Sequence, residues 1–342
     1  MSKFIMNVAY IISKSEVGGA QTWVKDQISL FEKEVSSFLI TNKPGWLSQE
    51  VNVKKTLFLP GLDKGFKISH VMGILRFLKE NNIKLIVASS ANAGVYARLI
   101  KPFYKDLKVV YVSHGWSCIY NGGKFKKVFV SLERLLSIFT DAVLCVSKKD
   151  REDARNIIGI RDDKLHYIRN GVYPKVKNEN TKTEKFLRII FLGRLTKPKR
   201  PDLLIEAVKG MDNVKLDIIG SGDLECQLPL YDNVSFLGEV GGFDNFCNYD
   251  LFALISDSEG MPMSALEAAS AGVPIVISDV GGCSEIITDN GILVLNDVYS
   301  IRKAIEHIIE NYTEIKGNSL RAAKYFDINN SKLYYSDLYS KL

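Results

Sequence analysis

The sequence predicts an α/β protein made of two tandem Rossmann-like domains, each with a doubly wound parallel sheet, on either side of an interdomain cleft. Short apolar runs rich in β-branched residues alternate with longer segments of helical period along the whole chain. This alternation is typical of βαβ units, whose parallel strands are buried on both faces. The chain has 342 residues, which suits two domains of roughly 150 to 170 residues each.

Each half contributes five predicted strands. The predicted strands of the first half are residues 5–12, 37–40, 85–88, 108–112 and 142–146. Those of the second half are residues 188–192, 214–219, 234–237, 251–255 and 274–278. Helical periodicity predicts helices over residues 21–32, 71–80, 202–208, 264–271 and 328–342.

The boundary between the domains is predicted where Asn170-Gly171 and Pro174 interrupt the pattern, just before a polar stretch at 175–185 that we interpret as a hinge. We therefore expect a first domain over 1–173, a second over 174–325 and a terminal segment over 326–342.

Composition excludes several classes of protein. The 46% apolar and 25% charged content is typical of a globular protein and does not indicate disorder. The first apolar run, residues 4–12, is too short to span a bilayer and predicts a buried strand. The five cysteines form no C-x-x-C pair, which argues against a disulfide framework and a zinc site and favours a cytoplasmic protein.

Charge is distributed unevenly. Residues 1–170 contain 27 basic and 15 acidic side chains, whereas the remainder contains 18 and 24. The first half is therefore expected to meet something anionic, such as a phosphorylated acceptor or a membrane surface. Nucleic acid is disfavoured, because no motif that interleaves aromatic and basic residues accompanies the charge.

Two acids follow the predicted strand at 251–255. Glu259 precedes the loop that contains Gly260 and Pro262, and Glu267 lies within the helix that follows. The start of that helix is a place where anions bind, and ligands of α/β sheets lie beyond the strand ends. The alternatives are that Ser264 and Glu267 form a capping box and that Glu259 is a solvated acid.

A basic loop follows the predicted strand at 188–192. Gly193 ends the strand, and four cations come within the next seven residues: Arg194, Lys197, Lys199 and Arg200. Such a cluster can hold a diphosphate through charge-assisted hydrogen bonds. A solvated basic loop is the alternative.

Three weaker motifs complete the set. Gly18-Gly19 follows the first strand and can present backbone N–H groups to a phosphate, although any tight turn between strand and helix has this form. Gly220-Ser221-Gly222 does not continue as a dinucleotide fingerprint, so a nicotinamide site is not expected. His114 ends a strand and can reach a substrate oxygen, or it can be a structural histidine.

Together these motifs resemble the retaining GT-B glycosyltransferases known as group 1 or family four. The likeness is strongest between residues 170 and 295. It rests on Asn170-Gly171-Val172, Leu192-Gly193-Arg194-Leu195, Ile219-Gly220-x-Gly222, Val234-x-Phe236-Leu237-Gly238, Glu259-x7-Glu267, Gly272-x-Pro274 and Gly281-Gly282.

The resemblance implies a role for each matching residue. Arg194 and Lys199 would bind the donor diphosphate, Glu267 the ribose hydroxyls, and Glu259 and His114 would face the transferred sugar. Backbone groups would also contact the donor, at Gly18, Gly19, Gly193, Met261, Met263 and Ser264. Arg200 and Pro201 stand where the family commonly has glycine after the lysine, so Lys197 or Arg200 can share its role.

The resemblance also implies a reaction: metal-independent transfer of a hexosyl group, with retention, from a nucleoside-diphosphate sugar to a glycan or polyprenyl-diphosphate-linked acceptor in cell-surface polysaccharide synthesis. It implies that the last helix crosses back onto the first domain. The alternatives are a nucleotide-sugar epimerase, for which no convincing extra acid/base carboxylates are found, and a catalytically silent sugar-nucleotide-binding module.

Cations and large apolar residues interleave over residues 122–130 and continue into a helical pattern near Leu132 and Leu135. This pattern suits peripheral contact with an anionic membrane, on the inner face of the plasma membrane. A solvated amphipathic helix is the alternative.

Overall fold

The computed structural model describes residues 6–120, 123–179 and 186–342. The beginning of the predicted first strand (Ile5), Gly122 of the basic-apolar segment and residues 180–185 of the predicted hinge lie outside the described residues.

The chain divides into two units. Unit 1 comprises the described residues up to Arg169 together with Ser331–Leu342, and unit 2 is Asn170–Asn330. The division after Arg169 falls a few residues before the boundary predicted after residue 173. The division after Asn330 falls a few residues after the boundary predicted at residue 325.

Unit 1 is built on a parallel sheet of seven strands with the order β3-β2-β1-β4-β5-β6-β7. The strands are β1 (Met6–Ile11), β2 (Val35–Thr41), β3 (Lys55–Phe58), β4 (Leu85–Ala88), β5 (Lys108–Ser113), β6 (Ala142–Cys145) and β7 (Leu165–Tyr167). Every pairing between neighbours is parallel. The inner strands β4 and β6 are fully buried, as their apolar sequences predict.

Helices connect these strands. They are α1 (Gly19–Leu30), α2 (Trp46–Glu50), α3 (Ile68–Glu80), α4 (Ala91–Ile100), α5 (Ser117–Tyr120), α6 (Lys126–Leu136) and α7 (Lys148–Asp153). The connections from β3 to β4, from β4 to β5 and from β5 to β6 all step in one direction along the sheet. Because such crossovers are right-handed, α3, α4 and α6 lie on the same face of the sheet.

Unit 2 contains a parallel sheet of six strands with the order β10-β9-β8-β11-β12-β13. The strands are β8 (Leu187–Leu192), β9 (Val214–Ile219), β10 (Val234–Phe236), β11 (Leu251–Leu254), β12 (Ile275–Ser278) and β13 (Gly291–Val294). The helices are α8 (Pro201–Val208), α9 (Met263–Ser270), α10 (Val298–Glu310) and α11 (Tyr312–Ala322). Two parallel sheets with helical crossovers confirm the predicted fold class.

The last helix, α12 (Lys332–Lys341), belongs to unit 1. Tyr335 and Tyr339 are buried; the Tyr335 ring lies 6.3 Å from Trp23 and the Tyr339 ring 5.7 Å from Phe31, both of α1. The chain therefore leaves unit 1 after Arg169 and returns to it at Ser331.

The two ends of unit 2 are hydrogen bonded to each other. The backbone N–H of Val172 donates to the carbonyl of Phe326 at 2.8 Å, and that of Ile328 donates to Val172 at 2.9 Å. A Cβ on Gly171 would lie 2.9 Å from the Ile328 backbone, so only glycine fits there. The glycine of the Asn-Gly motif is thus required by the close contact between the two ends of unit 2.

All five cysteine thiols are free. Cys118, Cys145 and Cys283 are buried, and burial raises the pKa of each, that of Cys118 to about 11. Cys226 is exposed and Cys247 half-buried. Within the described ranges, no helix combines the length and the apolar character needed to cross a membrane.

Candidate functional site

The basic loop and the Glu259 loop meet at the middle of the unit 2 sheet. β8 and β11 are neighbours in the sheet although they are not consecutive in the chain, so the strand order reverses between them. Ligands of doubly wound sheets bind outside the carboxyl ends of the strands at such a reversal. The segment that follows β8 and the segment that follows β11 both lie there.

Backbone hydrogen bonds hold the two segments together. The N–H of Arg200 donates to the carbonyl of Ile255 at 2.8 Å, and the N–H of Asp257 donates to the carbonyl of Pro198 at 2.9 Å. Lys199 and Ser256 form the antiparallel bridge between these bonds. The position of Lys199 relative to Glu259 is therefore fixed by the backbone.

Lys199 and Glu259 form an ion pair through Nζ and Oε1. Their side chains are only 16% and 11% exposed. Glu259 is therefore not a solvated loop acid, and that alternative is wrong. A pair this shielded from water has stronger electrostatic interactions than one on the surface.

The other cations of the loop have different surroundings. Arg200 donates to both carboxylate oxygens of Asp202 and lies 3.5 Å from Asp257 Oδ1, so its charge is already compensated. Arg194 and Lys197 are exposed, and neither forms an ion pair with any residue that the structure describes. Arg194 is the cation nearest to the end of β8.

Glu267 lies beyond the first turn of α9. This helix begins at Met263 after Pro262, without a side-chain cap. The capping-box alternative for Ser264 and Glu267 is therefore wrong. Glu267 Oε1 lies 3.9 Å from the Nζ of Lys175, which also pairs with Asp244 at 2.8 Å.

The side chains at the start of α9 anchor its backbone. Met261 and Met263 are buried, and Met263 Sδ accepts a hydrogen bond from Asn170 Nδ2 at 3.0 Å. The N–H of Leu266 donates to Pro262 at 3.2 Å and is the first to bond within the helix. The preceding N–H groups, including that of Ser264, point out of the helix start, where anions bind.

Glycines allow close backbone contacts around the site. Gly281 has a φ of +55°, and a Cβ there would lie 1.7 Å from the carbonyl oxygen of Glu259. Gly220 has a φ of +144°, and its Cβ would lie 2.0 Å from the carbonyl oxygen of Gly193. At Gly193 itself a Cβ would make only ordinary contacts with protein atoms, 3.6 Å from Lys199 Cε. A methyl group at position 193 would therefore fit without displacing its neighbours.

A polar network that the sequence does not predict supports the Glu259 loop. The N–H of Ser256 donates to Ser278 Oγ at 2.9 Å, and Ser278 donates to Asn296 Oδ1 at 2.6 Å. Asn296 Nδ2 in turn donates to the Ser256 carbonyl at 2.9 Å. Ser278 and Asn296 are found only because β11, β12 and β13 are adjacent, and no local sequence pattern marks them.

His114 lies in unit 1, directly after β5. Its Nε2 is 2.7 Å from Ser89 Oγ, and its ring meets the edge of Trp23 at 5.4 Å between centroids. Burial lowers the pKa of His114 to about 4. The imidazole is therefore neutral at pH 7, hydrogen bonded and held by packing.

The Gly18-Gly19 turn leads into α1, which begins at Gly19 and whose first backbone hydrogen bond runs from Thr22 N–H to the Gly18 carbonyl at 2.9 Å. Ser90 Oγ nearby accepts from the N–H of Ser13 at 3.1 Å. Ser13, Ser90 and the pair of Ser89 with His114 thus lie along the carboxyl ends of β1, β4 and β5, where the strand order of this sheet reverses. Ser89 is a polar residue directly after a buried strand, as His114 is. The same signal could have identified Ser89 from the sequence, but it was not among the predicted site residues.

Comparison with known proteins decides the family. Residues 172–325 match the family described as glycosyl transferases group 1, and residues 17–176 match glycosyltransferase family 4. The O-antigen biosynthesis glycosyltransferase WbnH of Escherichia coli is 44% identical over 336 residues, covering 97% of this chain and 98% of that protein.

The chain is a group 1 glycosyltransferase of the family-four type.

Two further comparisons place this glycosyltransferase. A protein of Escherichia coli named UDP-Gal:alpha-D-GlcNAc-diphosphoundecaprenol alpha-1,3-galactosyltransferase is 24% identical over 75% of each chain. The crystal structure of HepE of Anabaena in complex with UDP and glucose superposes with a TM-score of 0.81, covering 98% of this chain and all of that one at 19% identity. The second likeness establishes the GT-B fold.

The glycosyltransferase brings Arg194, Lys199, Glu259, Glu267, Met261, Met263, Ser264 and Gly193 to one edge of the unit 2 sheet. His114, Gly18 and Gly19 lie at the carboxyl edge of the unit 1 sheet. In the part of the chain that the structure describes, no group of three or more His, Cys, Asp or Glu side chains is arranged to hold a metal ion. The roles of the individual residues stay predictions.

Proposed function

We propose that this glycosyltransferase moves a hexosyl group, with retention of anomeric configuration, from a UDP-sugar to a hydroxyl of a polyprenyl-diphosphate-linked saccharide, as a step of O-antigen assembly on the inner face of the plasma membrane. The observation that carries the proposal is the shielded Lys199–Glu259 pair beside the exposed Arg194, at the strand reversal of the unit 2 sheet. This arrangement offers positive charge to a diphosphate and a carboxylate to a sugar.

The diphosphate of the donor lies against the basic loop. Arg194 provides an uncompensated guanidinium, whose planar fork matches two phosphate oxygens. Lys199 contributes a charge that Glu259 already orients. The N–H groups at the start of α9 add fixed dipoles, and Glu267 accepts hydrogen bonds from the ribose hydroxyls.

Transfer breaks the bond between the anomeric carbon and the diphosphate oxygen. The acceptor oxygen forms the new glycosidic bond on the same face of the sugar, and its proton passes to an oxygen of the leaving diphosphate. Arg194, Lys199 and the α9 dipole stabilise the negative charge that develops on the leaving group. This electrostatic arrangement supplies the stabilisation that a divalent ion provides in other transferases, so the proposed reaction is metal-independent.

Glu259 and the neutral His114 face the transferred sugar in this proposal. Glu259 stabilises the positive charge that builds up at the anomeric centre, without becoming a nucleophile. His114 is uncharged at pH 7 and serves as a hydrogen-bond partner for a sugar hydroxyl, positioned by Ser89.

The names of relatives support the donor and the acceptor. WbnH is named for O-antigen biosynthesis, and the more distant galactosyltransferase is named for UDP-galactose and a diphosphoundecaprenol-linked sugar. The solved structure of HepE contains UDP and glucose. A UDP-hexose and a lipid-linked saccharide are therefore the substrates proposed here.

The test is a donor screen followed by an assay. UDP-, GDP- and ADP-sugars are compared by thermal shift, because a ligand that binds the folded state raises its stability with concentration. The best donor is then assayed with a polyprenyl-diphosphate-linked acceptor, with and without a chelator, and the anomeric configuration of the product is determined. Stabilisation by UDP-sugars and a retained product in the presence of chelator are expected. Inversion, or turnover that requires added Mg²⁺ or Mn²⁺, would contradict the proposal.

A further inference from the structure

The segment over residues 170–175 lies along α9, the helix that begins at the candidate donor site. Asn170 Nδ2 donates to Met263 Sδ at 3.0 Å, at the first residue of α9. The backbone N–H of Lys175 donates to Ser270 Oγ at 3.2 Å, at the last residue of the helix. The chain between these two contacts is long enough to span the helix. We name residues 170–175 the α9 strap.

Both ends of the α9 strap are anchored on buried side chains. Asn170 and Ser270 are 2% and 1% exposed, so water does not compete freely for their hydrogen bonds. The backbone of Lys175 therefore has a fixed position relative to α9. Glu267 lies three residues before Ser270 and thus shares one side of the helix with it. The Lys175 side chain starts beside Glu267 for this reason.

The Lys175 ammonium lies between two carboxylates. Its Nζ is 2.8 Å from Asp244 Oδ1, in the segment between β10 and β11, and 3.9 Å from Glu267 Oε1. The first distance is that of a charge-assisted hydrogen bond, whereas the second is too long for one. The ammonium therefore attracts the Glu267 carboxylate without hydrogen bonding to it.

Shielding from water makes this attraction effective. The side chains of Lys175 and Glu267 are only 20% and 16% exposed, whereas that of Asp244 is 58% exposed. Exposed ion pairs contribute little, but charges with few water contacts interact more strongly. Asp244 holds the ammonium in one place, and the ammonium in turn favours one orientation of the Glu267 carboxylate. A binding group is most effective when its neighbours hold it in the binding orientation before the ligand arrives.

We infer that Lys175 is a positioning residue of the donor site, which holds the Glu267 carboxylate ready to accept hydrogen bonds from the ribose hydroxyls of the nucleotide. The inference rests on the proposed function, in which Glu267 binds the ribose. It adds a determinant of the preference for nucleotides that have these hydroxyls over nucleotides that lack them. No motif marks Lys175 in the sequence, where it is the first residue of the polar stretch at 175–185.

The test measures the binding of UDP and of 2′,3′-dideoxy-UDP to the full-length protein by isothermal titration calorimetry. We expect the wild type to prefer UDP, because a site built to bind hydroxyls rejects an analogue that lacks them. Lys175→Met preserves the length of the side chain and removes its charge. It should weaken the binding of UDP by about three- to tenfold, and that of 2′,3′-dideoxy-UDP by less than about twofold, since neighbouring groups couple by such amounts.

Two control variants separate this role from general effects of charge and stability. Lys177→Met removes an exposed lysine that forms no ion pair with any residue of the described part of the chain, and it should leave both dissociation constants unchanged. Lys175→Arg keeps a cation and should retain most of the preference for UDP. Far-UV circular dichroism checks the fold of each variant. A destabilised variant stays informative, because the ratio of two dissociation constants does not depend on the folded fraction.

A double-mutant cycle tests whether Lys175 acts through Glu267. In a Glu267→Ala background, Lys175→Met should change UDP affinity by less than about twofold, because the group that it positions is absent. Equal losses in the two backgrounds would overturn the inference, as would equal losses of UDP and 2′,3′-dideoxy-UDP binding in Lys175→Met. Both outcomes leave the proposed function intact. If Glu267→Ala alone binds UDP as tightly as the wild type, the ribose assignment of the proposed function is wrong, and the inference is wrong with it.

Discussion

Arg194 and Lys199 carry the same charge in one loop, but their surroundings differ. Lys199 is shielded and paired with Glu259, whereas Arg194 is exposed and has no ion-pair partner among the described residues. A diphosphate can therefore recruit Arg194 without breaking an existing ion pair. The difference follows from the backbone bridge at Lys199, which directs that side chain toward the Glu259 loop.

Replacing Arg194 should lower turnover more than donor affinity. We expect Arg194→Ala to reduce kcat by about 10²- to 10³-fold, because a preorganised donor of hydrogen bonds to the leaving group acts mainly in the transition state. Steady-state kinetics with a UDP-sugar measures the effect. Lys215→Ala gives the control, because this exposed cation of β9 lies outside the basic loop, and we expect a change of less than about threefold, as for a solvated surface charge. Turnover like that of the wild type in Arg194→Ala would remove its proposed role.

Glu267 should act on nucleotide affinity. We expect Glu267→Ala to raise the dissociation constant for UDP by about tenfold to a hundredfold, since hydrogen bonds to a charged group contribute about 1.5 to 3 kcal/mol. Isothermal titration calorimetry checks the prediction. The comparison variant is Glu310→Ala, an exposed acid at the end of α10 that should leave UDP affinity unchanged. Equal affinities of both variants would exclude Glu267 from the ribose site.

His114 should make the stability of unit 1 depend on acid pH. Its pKa is lowered to about 4 by burial, while the unfolded chain has the ordinary value near 6.5. Between these two values the unfolded state binds more protons than the folded state, so the free energy of unfolding rises with pH. The protein therefore loses stability as the pH falls from 6.5 toward 4. Denaturant titrations at several pH values give the free energy of unfolding as a function of pH. We expect this free energy to change less steeply with pH in His114→Gln than in the wild type. An unchanged slope would contradict the lowered pKa.

At the scale of elements, the glycine turn after β12 determines where the Glu259 loop lies. Gly281 contacts the Glu259 carbonyl, and the Gly282 N–H donates to the carbonyl of Gly260 at 2.7 Å. The Ser256–Ser278–Asn296 network holds the same loop from the other end. The acid that faces the sugar in our proposal is thus positioned by β12 and β13 as well as by its own strand.

A methyl group at position 281 should displace this loop. We expect Gly281→Ala to reduce turnover by at least about tenfold, because its Cβ would overlap the carbonyl of Glu259 and misplace a reacting group. Gly210→Ala is the matched control: its φ of +68° imposes a similar backbone strain, but nothing lies within 4 Å of its Cβ. Gly210→Ala should lose about 1 to 2 kcal/mol of stability from backbone strain alone. Gly281→Ala should lose more, because its Cβ also overlaps the Glu259 carbonyl, and it alone should lose activity. Equal activities would show that the loop tolerates the displacement.

The strands that the sequence did not predict have a common place in the sheets, although one edge strand, β10, was predicted. The inner strands were predicted within a residue or two, because burial on both faces requires a continuous apolar run. The missed strands β3, β7 and β13 are all at sheet edges, and β3 contains only partly buried or exposed residues. An edge strand needs only one neighbour and one covered face, so its sequence carries less of a pattern.

The site shows the same limit. Local motifs predicted Glu259 and Lys199 separately, each after its own strand. Their ion pair depends on β8 lying next to β11, about 60 residues further along the chain. Ser89, Ser278 and Asn296 likewise contact the candidate site residues or their loop only because their strands are neighbours in the sheet. The residue types could be read from the sequence, but which distant strands pair with each other could not be predicted from it.

At the scale of the whole molecule, unit 1 is completed by the last residues of the chain. α12 buries Tyr335, Leu338 and Tyr339 and is tied by Lys332 to Glu34 at 3.1 Å. Tyr335 contacts Trp23, whose ring edge contacts His114. The stability of unit 1 and the position of its histidine therefore both depend on a segment that follows unit 2.

Removing the Tyr335 ring should destabilise unit 1 selectively. We expect Tyr335→Ala to cost about 3 to 5 kcal/mol, the usual range for truncating a buried aromatic residue. All three tryptophans, Trp23, Trp46 and Trp116, belong to unit 1, so fluorescence-detected unfolding reports that unit. Tyr334→Ala, next to it and 68% exposed, is the control. If both variants unfold at the wild-type denaturant concentration, α12 does not stabilise unit 1.

The distribution of thiols offers a way to observe the donor site directly. Cys226 is exposed in the turn after β9, at the same edge of the sheet as Arg194. The buried cysteines have raised pKa values and are scarcely ionised at neutral pH, so alkylating dyes react slowly with them. After Cys247→Ser, a maleimide fluorophore will label Cys226 alone. Its emission can then report each arrival of a sugar nucleotide without radioactive substrate or an engineered attachment point.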